Sequence, residues 1–294
     1  MSTATCLDHI GLCTAEPDKL WSTYERLGFT LTPPNRQSGK RRPDLPVEPF
    51  GTGNRCAMLK AGYIELLVLI DPALPDNGLQ RFLDRYVGMH ILALGMEEEE
   101  ANLARLRRAG IEIPGVAWLE RPVDGPGSAL AKFARLPLPD APEGRVQLIR
   151  HLTPELMWQT GWMTHANRAE RLEEAILVSD APAEAAARLS RLAGLPLTPD
   201  PLGGFRLTLP GPWATGPDGD GGCVRIIGPE ALPALLPGVE APALPFLAGF
   251  VLRTGDGNAA VRKILEGLPV VEVAGGLMVP PEAAGGAALV FKAG

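Results

Sequence analysis

The sequence lacks any dense run of Lys or Arg, and its formal net charge at pH 7 is −6. A nucleic-acid partner requires a wide positive face that displaces counterions, so no nucleic acid is expected. The one basic cluster, at residues 40–42, lies in a proline-rich stretch and is interpreted as solvated. No apolar run approaches the roughly 18 residues of a membrane span. Residues 1–6 lack the basic start and apolar core of a signal peptide, so we expect a cytoplasmic protein.

The sequence has only four cysteines, and they show no paired spacing. Neither a disulfide framework nor a zinc knuckle is therefore expected. Hydrophobic residues make up 46% of the chain and charged residues 21%, which is typical of a globular protein. The 294 residues are enough for about two ordinary domains.

Four segments repeat the same order of predicted elements, with a period of about 80 residues. The first begins with the strand-like LDHIGLCT and a helix that Pro17 opens and Gly28 closes. The segments FTLTP, GNRCAMLKA and GYIELLVLI then have the length and flanking residues of strands. Later copies begin at MHILALGM, LEEAILVSD and FLAGFVLRT. The repeated unit is β-α-β-β-β.

A helix after each first strand, followed by three strands, predicts an α+β fold with helices on the outer face of a sheet. Two repeats make one domain, so four repeats predict two domains. The segment WQTGWMTHANRAERL interrupts the strand pattern between the second and third repeats. The predicted domains are therefore residues 1–160 and 168–294.

The segments LDHIGL, YERLGF, GTGNR, GYIELLVLIDP and RHLTPELMW occur in this order along the chain. Together with the repeat they resemble the vicinal oxygen chelate superfamily, specifically its two-domain glyoxalase-like branch. That resemblance implies four βαβββ modules paired into two domains, each a cupped mixed sheet with helices on the outside. It implies little about the reaction, because the superfamily contains lyases, isomerases, dioxygenases, hydrolases and binding proteins.

The resemblance also implies a set of metal ligands, one from the first and one from the last strand of each module. Carried over by position, these are His9 and Glu65 in module one and His90 and Gln147 in module two. The two histidines are 81 residues apart and the other two residues 82 apart. Such donors suit one divalent ion, Zn, Ni, Co, Mn or Fe(II), and leave positions open for substrate.

The second domain offers no comparable set. The corresponding positions hold Glu174 and Arg225 in module three, and Ala248 or Gly249 and Val290 in module four. We expect an ion pair there instead of a metal. The predicted role of this domain is structural, as a cover or as the surface of a possible homodimer.

The activity that the resemblance implies, and that we favour, is that of a lyase or isomerase acting on a small carbonyl compound. A metal stabilises the oxyanion that forms when a base removes the adjacent proton. Glu65 is the only carboxylate of the set and the predicted base, and Gln147 stands where related lyases and epimerases commonly have a second Glu. His151 lies four residues after Gln147, so on a regular strand it points to the same face. It is a substitute base, a substrate contact, or a residue that holds the turn before Thr153.

An Fe(II) extradiol-type dioxygenase is one alternative, since two His and one carboxylate form a facial triad. His9, His90 and Glu65 would supply it.

A metal-free, resistance-type binding protein is the other alternative. Asn54, Arg55 and Arg121 are the predicted contacts for a polar or anionic ligand. The absence of an obvious cationic cluster argues against large polyanionic substrates.

Overall fold

The computed structural model describes residues 2–39, 46–123, 128–211 and 221–294, and the basic cluster at residues 40–42 lies outside them. Over the described chain, the order of strand, helix and three strands occurs four times, which confirms the predicted α+β class and the four βαβββ modules. No helix within these ranges is long and apolar enough to cross a membrane.

Module one consists of β1 (Leu7–Thr14), α1 (Pro17–Arg26), β2 (Asn35–Gly39), β3 (Glu48–Met58) and β4 (Tyr63–Leu69). Pro17 occupies the first position of α1, where its missing N–H costs no helical hydrogen bond. Gly28 follows the helix with φ of 85°, a left-handed conformation that glycine adopts without strain. Both ends of the helix therefore lie where the sequence predicts them.

The prediction of a strand at FTLTP is wrong. One backbone pair joins this segment to β3, from the Thr32 N–H to the Cys56 carbonyl at 2.9 Å. Pro33 and Pro34 follow and have no N–H with which to continue a ladder. The second strand therefore begins later, at Asn35.

The remaining modules have the same order of elements. The short helix α2 (Gln80–Leu83) leads into module two, which has β5 (Gly88–Gly95), α3 (Glu99–Arg108), β6 (Ala117–Pro122), β7 (Leu130–Pro137) and β8 (Arg145–His151). After α4 (Pro154–Met157), module three has β9 (Ala169–Val178), α5 (Pro182–Ala193), β10 (Thr198–Pro199), β11 (Phe205–Thr208) and β12 (Cys223–Ile227). After α6 (Leu232–Leu235), module four has β13 (Phe246–Thr254), α7 (Ala259–Ile264), β14 (Val271–Val273), β15 (Gly276–Val279) and β16 (Ala288–Ala293).

The first strands of paired modules run antiparallel to each other, β1 with β5 and β9 with β13. Each first strand also runs parallel to the last strand of its own module. One further pair, Leu247 with Met89, joins β13 to β5 and links the two halves of the sheet. The domain division at residues 161–167 and the possible homodimer stay predictions.

Alternate residues of the first strands face the helices. Ile10 and Leu12 of β1 are fully buried in the main core together with Leu20 and Tyr24 of α1. Because successive side chains of a strand point to opposite faces, His9 and Gly11 face the concave side of the sheet. Strand register therefore decides which residues reach that side.

The register defines the equivalent residues of the four modules. Gly11 pairs with Glu65 in module one, and the corresponding pairs are Ala93 with Gln147, Ile176 with Arg225, and Val251 with Val290. Two residues earlier on the first strands lie His9, Ile91, Glu174 and Gly249. The equivalent of His9 in module two is therefore Ile91, 82 residues later, and not His90.

Candidate functional site

The concave face of modules one and two encloses a cavity of about 200 Å³, which we call the cup. Its polar lining comes from strands of both modules, and aromatic and aliphatic side chains such as Phe133 and Ile149 complete the wall. The polar residues of the lining include His9, Asn54, Glu65, Arg121, Arg135, Arg145 and Gln147. The cup therefore combines an apolar wall with converging polar groups, as small-molecule sites do.

His9 is almost completely buried at the floor of the cup. Its Nδ1–H donates to Oδ1 of Asp8 at 2.7 Å, so Nε2 is the ring nitrogen that remains to face the cup. That Nε2 lies 3.9 Å from Oε2 of Glu65. The ring of Tyr63 stacks on the imidazole with centroids 4.4 Å apart, which fixes the plane of the ring. His9 therefore presents Nε2 next to the carboxylate of Glu65.

The carboxylate of Asp8 orients the ring of His9 through their hydrogen bond. The register between β1 and β5 shifts between Leu7 and His9, and such a bulge re-aims a side chain that would otherwise follow strand alternation. Asp8 also accepts a hydrogen bond from Nε2–H of His151 at 3.2 Å. Burial alone would raise the pKa of Asp8, but the charge and hydrogen bonds of His151 and His9 outweigh it and lower the pKa to about 2. Asp8 is therefore a buried carboxylate at any ordinary pH.

Glu65 is oriented by two amide side chains. Nδ2 of Asn54 donates to Oε1 of Glu65 at 2.5 Å, and Nε2 of Gln37 lies 3.5 Å from the same oxygen. These contacts leave Oε2 directed towards His9. Asn54, predicted as a substrate contact, lies in the cup and in this structure holds the carboxylate.

Gln147 lines the cup from β8, and its Oε1 accepts a long hydrogen bond of 3.4 Å from Arg135. It pairs in register with Ala93 of β5. Ala93 also pairs with His9, which lies on the opposite edge of the same strand. Gln147 and His9 therefore flank the same central strand.

His90 does not join the other three predicted ligands. It is fully buried between the rings of Phe82 and Tyr86, whose centroids lie 5.2 and 3.9 Å from its own. Nε2–H donates to the Tyr86 carbonyl at 2.8 Å. Burial lowers the pKa of His90 to about 4, so the ring is neutral at pH 7. The placement of His90 in the metal set is one residue out of register. Ile91 stands at the position equivalent to His9, and His90 falls within a bulge of β5.

Two other predicted contacts also lie away from the cup. Arg55 points to the outer face of β3, where NH1 contacts Oε1 of Glu25 at 2.7 Å and the guanidinium lies over Trp21. His151 packs against Trp158, and Asp8 and the ring of Tyr63 lie between it and His9. The alternation of side chains along β3 accounts for Arg55, since its neighbour Asn54 is the one that faces inward. A direct base role for His151 is therefore not supported by its position.

Arg121 does line the cup, as expected, with its guanidinium over the ring of Phe133. Arg135 and Arg145 line the cup as well, although no local pattern in the sequence predicts this. Burial, and then the charge of Arg145, lowers the pKa of Arg135 to about 10, which still leaves it cationic at pH 7. The expectation that no cationic cluster exists is therefore wrong, because adjacent strands bring these arginines together.

Three side chains with donor atoms that suit a divalent ion line the cup. No group of three or more His, Cys, Asp or Glu side chains assembles within the described ranges. The available donors are Nε2 of His9, a carboxylate oxygen of Glu65 and the amide oxygen of Gln147. Three protein ligands with further positions open is the pattern of catalytic metal sites. The Asp8–His9 hydrogen bond is the outer contact that metal-binding imidazoles have.

A family model described as a glyoxalase-like domain matches residues 7–193. No curated protein sequence matches the chain. A hypothetical protein from Staphylococcus aureus superposes with a TM-score of 0.63 at 14% identity, covering 98% of each chain.

Two solved enzymes have the same fold. The Mn(II)-bound glyoxalase from Novosphingobium aromaticivorans has a TM-score of 0.55 at 12% identity, covering 100% of this chain and 83% of its own. Homoprotocatechuate 2,3-dioxygenase from Arthrobacter globiformis has a TM-score of 0.52 at 12% identity, covering 99% and 80%. At these identities the likeness concerns the fold alone.

Proposed function

Because the chain belongs to the glyoxalase-like domain family, within the vicinal oxygen chelate superfamily, we propose that it is a metal-dependent lyase or isomerase. Its substrate is a small carbonyl compound from which one proton is removed next to the carbonyl group. The observation that carries this proposal is the arrangement of Asp8, His9 and Glu65. The free Nε2 of His9 and the free Oε2 of Glu65 lie 3.9 Å apart at the floor of the cup.

His9, Glu65 and Gln147 would hold the divalent ion, which when bound would polarise the substrate carbonyl. Asp8 fixes the tautomer of His9 and keeps Nε2 directed into the cup. Asn54 holds Oε1 of Glu65, so that Oε2 remains available to take the substrate proton. Because Gln147 is an amide and accepts no proton, the Glu65 carboxylate would also deliver that proton to a neighbouring atom of the substrate, which is one-base chemistry.

The dioxygenase alternative has less support from the geometry. Its triad of His9, His90 and Glu65 is not assembled, because His90 lies between Phe82 and Tyr86 and donates to a backbone carbonyl. The cup keeps one imidazole instead of the two that such a triad requires.

A metal-free, anion-binding protein is the second candidate function. Arg135 and Arg145 favour it, because two guanidinium groups beside Gln147 attract anions and repel a cation. This candidate requires that ligand affinity survive chelation, whereas the enzyme requires a metal for turnover.

Proton exchange in heavy water tests the proposed function directly. Hydroxyacetone and pyruvate are incubated with the protein and Zn, Ni, Co or Mn, and loss of the proton signal next to the carbonyl is followed by NMR. We expect metal-dependent exchange that falls about 100-fold or more in Glu65→Gln, the loss typical of a missing general base. Glu25→Gln, at the outer face, is the matched control. Exchange that is unchanged in Glu65→Gln, or that survives chelation, contradicts the proposal.

A further inference from the structure

A second cavity of about 740 Å³ lies beside the cup, and we call it the cleft. Four residues line both cavities, namely Asn77, Arg135, Arg145 and Gln147. The guanidinium groups of Arg135 and Arg145 therefore stand at the border between the cup and the cleft. A ligand that extends from one cavity towards the other meets both of them.

The charge of Glu65 acts on Arg135 only from beyond ion-pair distance, so among the described residues Arg135 has no close counter-charge. Its NH1 donates one long hydrogen bond of 3.4 Å to Gln147, and within the described residues its buried Nε has no partner. Arg145 donates to the Asn77 carbonyl at 2.9 Å and lies over the ring of Phe82. Across the parts of the chain that the structure describes, neither guanidinium lies within 4.0 Å of a carboxylate.

Several other arginines of this protein are paired with carboxylates. The pairs are Arg188 with Glu143 at 2.6 Å, Arg206 with Asp200 at 2.6 Å, and Arg225 with Glu174 at 2.8 Å. A buried charge without a counter-charge is costly, so it is unusual in a stable fold. The cost is offset when a bound anion supplies the missing charge. Arg135 lines two cavities and its buried Nε has no partner among the described residues, and this combination points to a ligand.

We propose that Arg135 and Arg145 bind a carboxylate or phosphate group of the substrate at the border between the cup and the cleft. A planar guanidinium presents paired N–H donors that match two oxygens of either group. This deepens the proposed function and rests on it for the reacting end of the substrate, which lies at His9 and Glu65. The substrate class is then a small carbonyl compound that carries an anionic group.

The anion site can be tested without a metal. Binding of inorganic phosphate and of malonate to the chelated protein is measured by calorimetry and by the shift in Tm. We expect binding to the wild type that weakens about tenfold or more in Arg135→Gln and in Arg145→Gln, since each loses a charge-assisted contact. Tighter phosphate binding identifies a phosphorylated substrate, and tighter malonate binding identifies a carboxylic acid.

Two further variants separate this proposal from a folding defect and from the metal proposal. Arg55→Gln removes a guanidinium from the outer face and should leave affinity unchanged. His9→Ala removes a metal ligand and should also keep its anion affinity, so the two proposals fail independently. In the absence of anion, Arg135→Gln should melt at the same temperature as the wild type or higher, because an unpaired buried charge is gone. Equal affinity in wild type and Arg135→Gln, or no binding of either anion by the wild type, overturns the proposal.

Discussion

The Nδ1 atom of His9 lies 2.7 Å from Oδ1 of Asp8, and this contact directs the other ring nitrogen into the cup. Asp8 is completely ionised, because the pKa of its carboxyl is about 2. An ionised partner makes the imidazole a better electron-pair donor, whether to a metal or to a proton. The pair therefore links a bulge in the first strand to the chemistry of the site.

We expect Asp8→Asn to weaken metal binding by about 10- to 100-fold, the usual effect of losing a carboxylate behind a metal-binding imidazole. Competition with a coloured chelator measures this loss. Asp84→Asn, at an exposed site after α2, is the control and should change nothing. The contribution of Asp8 to stability is present above its ordinary pKa of 3.8 and is lost as the pH falls through about 2. Undiminished metal affinity in Asp8→Asn would contradict this role.

We expect Ile91→His to tighten metal binding, because Ile91 stands at the register position of His9 in module two. A second imidazole would add a fourth ligand to the three already facing the cup. Gly11 packs against Ile91, and a methyl group added at Gly11 would lie 2.6 Å from Ile91 Cδ1, so the register leaves little freedom there. The same chelator competition measures the gain. Identical affinities for the variant and the wild type would show that register does not define the metal set.

His90 makes stability depend on pH on the acid side. Burial lowers its pKa from 6.5 to about 4, so the unfolded chain binds a proton that the folded chain does not in this window. The free energy of unfolding therefore rises with pH between about 4 and 6.5, by at most about 3 kcal/mol from this residue. The pKa of His165 is also lowered by burial, which acts in the same direction.

Urea unfolding at a series of pH values tests this prediction. His90→Phe should flatten the pH dependence, and its metal content should equal that of the wild type. A slope that is unchanged in the variant would assign the acid sensitivity to other groups.

The ion pairs of module three serve stability. Arg225 contacts Glu174 at 2.8 Å and Asp200 at 3.2 Å, with all three side chains buried. We expect Arg225→Met to lower the free energy of unfolding by about 3 kcal/mol, because two buried carboxylates lose a partner. Chemical denaturation measures the change, and Arg253→Met, at a half-exposed pair with Glu173, should cost less than about 1 kcal/mol. Loss of bound metal in Arg225→Met would contradict a purely structural role.

Most of the fold follows from local signals in the sequence. Alternation along LDHIGLCT, Pro17 at a helix start and the repeat itself are properties of neighbouring residues, and the structure agrees with them. The ion pair between Glu174 and Arg225 was also predicted, since both positions follow from the repeat. His9, Glu65 and Gln147 reach the cup for the same reason.

The rest depends on register and on contacts between distant segments. Met89 pairs with Leu12 and Ile91 with Gly11. His90 lies in the bulge between these two pairs, and no local pattern in the sequence predicts that bulge. A shift of one residue along a strand moves a side chain to the opposite face of the sheet. His90 lies 81 residues after His9, whereas the residue equivalent to His9, Ile91, lies 82 residues after it.

The position of the arginines in the cup could not be predicted from the sequence for a related reason. Arg121, Arg135 and Arg145 are separated in sequence and meet only because β6, β7 and β8 are neighbouring antiparallel strands.

The metal content of the purified protein shows whether His9, and not His90, belongs to a metal site. Mass spectrometry after loading with Zn, Ni, Co, Mn or Fe(II) is applied to the wild type, His9→Ala and His90→Ala in parallel. We expect near-stoichiometric metal in the wild type and in His90→Ala, and none in His9→Ala. Metal that is lost in His90→Ala and retained in His9→Ala, or absent from the wild type with every ion, would contradict this expectation.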